Sequence, residues 1–365
     1  MTDTPVGSTI VMVGTTRGGF IFTGGADRTE WRMSDPLHRG SQVYHLTLDP
    51  RDGQMYAAVN NVFWGPEISR SSDMGESWTE SSEEPRFRQD SGETLEAMWH
   101  IAPGRPEEPG VLYAGGAPAS FWKTTDSGDT WVELGALGDH PSRPDWEPGA
   151  GGLCLHTILL DPERPGRMYA GISAVGLFRT DDGGESWLLS SKGITPALPP
   201  RVDENTGRCV HKAVLDPLDS EIIFQQNHRG TYRSRDAGLT WDDIGGKLPS
   251  TFGFPMVTHP RVSGNVFTVL MDSDEFRSAA EGRVAVWTTS DAGETWRAQT
   301  RGLPERNAFT GVLREAMSVD GGEPLGIYFG TTGGTLYYST DEGESWKLMA
   351  DNLPRVLSVE ARMLG

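Results

Sequence analysis

Ser71-Ser72-Asp73-Met74-Gly75-Glu76-Ser77-Trp78 is the stretch on which the reading of this chain turns. Its pattern, Ser/Thr-x-Asp-x-Gly-x-x-Trp, returns at residues 124–131, 180–187, 234–241, 289–296 and 339–346. The tryptophans recur at intervals of about 50 to 56 residues, the spacing of a supersecondary unit repeated along a chain. A worn copy at residues 23–31 keeps the tryptophan and lacks the glycine. Each copy reads as a tight hairpin. The short Asp side chain accepts hydrogen bonds from turn N–H groups, Gly supplies a positive φ, and the Trp ring is buried beneath the turn.

Outward from each copy the order of elements is constant. A strand ends in an Asp-Pro turn at Asp49-Pro50, Asp161-Pro162 and Asp216-Pro217. A short apolar strand follows, as in Met55-Tyr56-Ala57-Ala58 and Met168-Tyr169-Ala170-Gly171. A third strand enters the octapeptide and a fourth leaves it. Four short strands per repeat predict a propeller blade. The first repeat, starting at Thr9, lacks an innermost strand. Residues 353–360 after the last box read as an innermost strand with no blade behind it. The expected architecture is therefore all-β: a single seven-bladed β-propeller over residues 1–365, with four-stranded antiparallel blades. The C-terminal strand completes the first blade, and closure hides the sheet edges.

The octapeptide resembles the Asp-box, or BNR repeat, of sialidases, sortilin-type propellers and related proteins. The whole chain is similar to WD40/YVTN/BNR-like propellers that carry a sialidase-like or glycosyl hydrolase label. Gly149-Ala150-Gly151-Gly152-Leu153-Cys154-Leu155-His156, Gln225-Gln226-Asn227-His228-Arg229-Gly230 and Leu313-Arg314-Glu315-Ala316-Met317 look like the distinctive stretches of one bacterial subgroup. The resemblance implies Asp-boxes on the face away from the site. It also implies either a hydrolase or, as in photosystem assembly factors of the same repeat class, a non-catalytic scaffold. The Arg-Ile-Pro of true sialidases is missing, and the matching region reads Thr15-Thr16-Arg17-Gly18-Gly19.

The net charge of −19 opposes nucleic acid, whose partners present basic surfaces, and an anionic membrane surface. The N-terminus carries no basic and apolar leader, so a cytoplasmic protein is expected. Two cysteines make no disulfide framework.

The candidate chemistry lies where the long connections meet the innermost strands, on the face opposite the boxes. Cys154-Leu155-His156 and Cys209-Val210-His211 stand in register six residues before Pro162 and Pro217. His228 falls in a loop on the same face. Imidazole and thiolate are ligands of zinc and copper, so His156, His211 and His228 are the candidate holders of a divalent transition metal. The alternative is that each His caps a backbone group and each Cys is buried filling. Glu96, Arg314 and Glu315 are the candidate catalytic groups, with desolvated Glu as general acid or base. Tyr44, Trp146, Arg201 and Asn227 are the candidate substrate contacts. Together they suit a small-molecule or carbohydrate ligand at the axial pore mouth, with hydrolysis or lyase chemistry, metal-assisted or not. The alternative is a binding or assembly propeller. The number of subunits is not legible.

Overall fold

The computed structural model describes residues 7–89, 91–198 and 203–364. Its strands form seven four-stranded sheets. Six are built from four consecutive strands each. The seventh, blade 1, joins Val356–Met363 to Thr9–Thr15, Gly18–Gly24 and Trp31–Met33. Thr9 pairs with Met363 and Gly14 with Ser358, so the end of the chain supplies the innermost strand of the first blade as expected.

Burial follows strand position. The second strands, such as Met55–Asn61 and Met168–Ile172, are buried along nearly all their length because neighbouring blades cover both faces. Their small residues permit that approach: a Cβ on Gly115 would stand 2.3 Å from the Leu155 carbonyl of the next blade. The outermost strands are short and exposed.

The boxes form a constant hydrogen-bonded unit. In the first, Ser71 Oγ donates to Asp73 Oδ1 (2.7 Å) and accepts from Gly75 N (2.9 Å). Asp73 also accepts from Ser77 N (2.9 Å) and Ser77 Oγ (2.5 Å). The same bonds recur in the other five boxes. The hydroxyl before each Trp is thus part of the motif. The Asp oxygens are spent on the turn. In all six boxes the residue before the Gly is left-handed too, as at Met74 (φ 59°) and Ala237 (φ 53°). Three of the box tryptophans tie their blade to the one before: Trp131 Nε1 donates to Ser81 Oγ (3.3 Å), Trp241 Nε1 to Ser190 Oγ (3.0 Å) and Trp296 Nε1 to the Ile244 carbonyl (2.9 Å).

The innermost strands carry one irregularity in register. Pairing with the second strand slips across Tyr44, Trp99, His156 and His211 in blades 2 to 5, and across Phe254-Pro255 in blade 6. Each slip is a β-bulge, which leaves a residue unpaired and re-aims its side chain. Regular alternation, which would give Cys154 and His156 one direction, is broken here.

Candidate functional site

The bulges furnish the wall of a vestibule at one mouth of the central channel. The connections into the innermost strands and the turns between second and third strands converge there, opposite the boxes. The vestibule has two lobes. The first, about 310 Å³, is lined by Tyr44, Trp99, Phe254, Leu313, Arg314, Glu315 and Arg355. The second, about 300 Å³, is lined by Cys209, His211, His228, Asp274, Glu275 and Leu198. Gly151, Phe254, Arg277 and Arg314 border both.

Arg314 is the shared partition and is buried. Its guanidinium donates to Cys154 Sγ (3.3 Å) and lies 5.6 Å from the Trp99 ring and 5.4 Å from the Phe254 ring. Among the described residues, no carboxylate pairs with Arg314, Arg277 or Arg355. Tyr44 and Trp99 pack at 4.4 Å between ring centroids. Burial, with Cys154 adding to it, raises the Tyr44 phenol, so it stays protonated. Burial pushes the Cys154 thiol up to about 11 against the opposing pull of Arg314.

One residue beyond the bulges at Tyr44, Trp99 and His211, three polar side chains turn towards one carboxylate. His45, His100 and Lys212 meet Glu315 there. Lys212 Nζ donates to both Glu315 oxygens at 2.8 Å. His100 Nδ1 lies 3.4 Å and His45 Nε2 3.9 Å from Glu315 Oε2. His45 Nε2 is also 3.6 Å from Glu360, which accepts from Thr47 Oγ1 (2.8 Å). Burial opposes the charge of Glu315, but Lys212, with His100 behind it, holds the carboxyl well below the usual range. Burial, then His100, keeps His45 neutral. Burial raises Glu360. Two carboxyls are thus pushed apart across one imidazole. Although His45, His100 and Glu315 cluster at ligand distances, the Lys212 ammonium already supplies the cation there.

The structure brings Arg314, Glu315 and Tyr44 to the first lobe and His211 and His228 to the second. It leaves other candidates elsewhere. Glu96 is exposed, flanks Ala97–Pro103 and lines neither lobe. Trp146 is a core residue packed on Phe178, its indole donating to Ser142 Oγ (3.0 Å). Asn227 is fully buried, donating to the Arg208 carbonyl (3.2 Å). Arg201 lies outside the described residues.

His156 uses both ring nitrogens on neighbours: Nδ1 on Thr157 Oγ1 (3.0 Å) and Nε2 on the Val210 carbonyl (3.2 Å). The sequence reading missed Lys212, Trp99, Phe254, Arg277 and Arg355. The alignment on Pro holds the signal for Lys212, since Lys212 and His45 both stand five residues before their Pro.

Fold and repeat together define the molecule as a seven-bladed Asp-box β-propeller. The BNR/Asp-box repeat model matches residues 337–348. No curated protein sequence matches the chain. Among solved structures it is similar to a Niastella koreensis GH74 enzyme, with TM-score 0.54 and 14% identity over 99% of this chain and 67% of that one. It is similar to YCF48 bound to D1 peptide, with TM-score 0.52 and 14% identity over 86% and 84%. A functionally unknown protein from Desulfotomaculum acetoxidans matches with TM-score 0.59 and 9% identity over 98% and 99%. At these identities the likeness is one of fold.

Proposed function

We propose that the vestibule is the working site of an enzyme acting on a small polar, negatively charged molecule, such as an acidic sugar. The observation that carries this is the trio Arg277, Arg314 and Arg355, which line the lobes with no carboxylate partner among the described residues, in a chain of net charge −19. Arg314 is the buried member, and a buried guanidinium without an anion is costly; Arg277 and Arg355 are exposed at the rim of the lobes, and a bidentate carboxylate or phosphate is the natural complement of a guanidinium. Tyr44, Trp99 and Phe254 supply flat apolar faces beside it, as small-ligand pockets do.

Below them, Glu315 stays ionised, Glu360 is pushed towards its protonated form and His45 is neutral. That division supports acid–base chemistry, hydrolysis or elimination, with Glu315 as the member that lines the first lobe. Arg314 would fix the anion and Tyr44 and Trp99 would stack on it. A carboxylate pair of Glu96 and Glu315 is not supported, because Glu96 does not face the lobe.

A thermal-shift screen of neutral sugars against their acidic and phosphorylated counterparts tests the reading. Acidic members should raise Tm in the native protein and not in Arg314→Met. Equal shifts in both proteins, or shifts from neutral sugars alone, would end it.

A second reading, a docking propeller, is favoured by Val62, Phe63 and Trp64. They stand 78%, 87% and 86% exposed on a hairpin of the vestibule face. It predicts a complex that Phe63→Ser/Trp64→Ser abolishes and Arg314→Met leaves intact.

A further inference from the structure

The second lobe holds a set of donors that neither the anion nor the acid–base network uses. Cys209 Sγ and one ring nitrogen each of His211 and His228 lie within 4.8 Å of one another. Their hydrogen bonds decide which nitrogen faces the group. His211 Nδ1 is 2.6 Å from the Gly253 carbonyl. A carbonyl only accepts, so the proton sits on Nδ1 and Nε2 carries the lone pair. His228 Nε2 is 2.8 Å from Asp274 Oδ2, which places its proton on Nε2. The remaining atom, His228 Nδ1, is buried without a partner, a condition that ordinarily calls for a bound group. The sulfur accepts from Ala174 N at 3.0 Å.

Each imidazole is therefore fixed by an oxygen acceptor on its far nitrogen, one a carbonyl and one a carboxylate. This is the outer-shell arrangement of metal-binding histidines. Phe252 and Phe254 pack on the His211 ring at 5.1 and 4.4 Å and fix its plane. His156, at the corresponding bulge, bonds the next blade through Nε2 and spends Nδ1 on Thr157, so it has no nitrogen left to offer.

We propose that Cys209, His211 and His228 bind one zinc ion, with its fourth position facing the second lobe. Tetrahedral zinc holds sulfur at about 2.3 Å and nitrogen at about 2.0–2.1 Å, so donors that lie within 4.8 Å of one another draw in around the ion. Binding replaces the Cys209 S–H proton with an S–Zn bond and releases the proton to water. Three protein ligands and one open position form a catalytic rather than a structural zinc site. The site stands independently of what the first lobe binds.

The test uses the full chain, stripped with chelator, titrated with Zn²⁺ and separately with Co²⁺. Zinc should bind at one per chain, and cobalt should give a thiolate-to-metal charge-transfer band. Cys209→Ser should lose the band and Cys154→Ser should keep it. Asp274 is at the surface, so Asp274→Asn will fold. It should weaken zinc affinity by about 10–100-fold, the usual effect of removing an outer-shell carboxylate. No band in the native protein, a band lost with Cys154 but not Cys209, or an affinity indifferent to Asp274→Asn would each overturn the proposal. The spectrum and stoichiometry need no substrate, so failure here is distinct from failure of the anion screen.

Discussion

At the scale of single residues, a one-residue slip decides what each side chain can do. Tyr44, Trp99, His156, His211 and Phe254 sit on bulges, and after three of them the next residue, His45, His100 or Lys212, turns to Glu315. The alignment of His156 with His211 is legible in the sequence, and so is their shared distance from Pro. Which nitrogen each presents is not, because it depends on Thr157 and the Val210 carbonyl around one ring and on the Gly253 carbonyl beside the other.

Glu84 offers a residue-scale prediction. Its Oε2 accepts from Ile68 N (3.1 Å) while Oε1 is buried without a partner. Burial, despite that amide, raises its carboxyl to about 7 from 4.5. The folded state therefore holds a proton that the unfolded state has lost, and stability falls as pH rises from about 4.5 through about 7. Glu84→Gln should melt higher than the native protein at pH 8, by a margin that closes towards pH 4.5. Melting curves of the pair across that range check it, and a constant margin would contradict it.

At the scale of the element, the box is a turn and also a staple between blades. Gly293 (φ 95°) has no room for a side chain, since a Cβ would stand 2.5 Å from Ile244 of the preceding blade. Gly183 (φ 77°) meets nothing within 4 Å. Gly183→Ala should cost only the left-handed strain of about 1–2 kcal/mol. Gly293→Ala should add an overpacking cost of about 1–3 kcal/mol. Urea denaturation separates the two, and equal losses would mean that the box does not hold the blades together. The turn is fully legible in Ser/Thr, Asp and Gly. The hydroxyl before every Trp is equally visible at Ser77, Thr130, Ser186, Thr240, Thr295 and Ser345. Its meaning emerges only with the Asp carboxylate in place.

At the scale of the whole molecule, the ring closes through two contacts of different legibility. The final strand is readable because the first repeat lacks its partner. The second contact is hidden in the worn repeat. Arg28, left-handed at φ 53°, crosses to blade 7 and pairs with buried Asp320 at 3.0 Å. Asp320 also accepts from Tyr328 Oη (2.8 Å), and Trp31 packs on Tyr328 and Tyr338 at 5.8 and 5.6 Å. The first repeat departs from the box where it must meet the last blade. Arg28→Met should cost about 3–5 kcal/mol by leaving a buried carboxylate uncompensated. Adding Asp320→Asn should restore part of that loss, so a double-mutant cycle will show coupling. Strict additivity would mean that closure does not depend on the pair.

Closure also gathers Tyr44, Trp99, Phe254, Arg314 and Arg355 around one mouth, although 311 positions separate the first from the last in sequence. The most direct measurement is a crystal structure with the acidic compound that most raises Tm. Its anionic group should lie on Arg314 and its body against Tyr44 and Trp99. Density for the compound on the Asp-box face, or on the Val62–Trp64 hairpin with the first lobe holding only solvent, would contradict it.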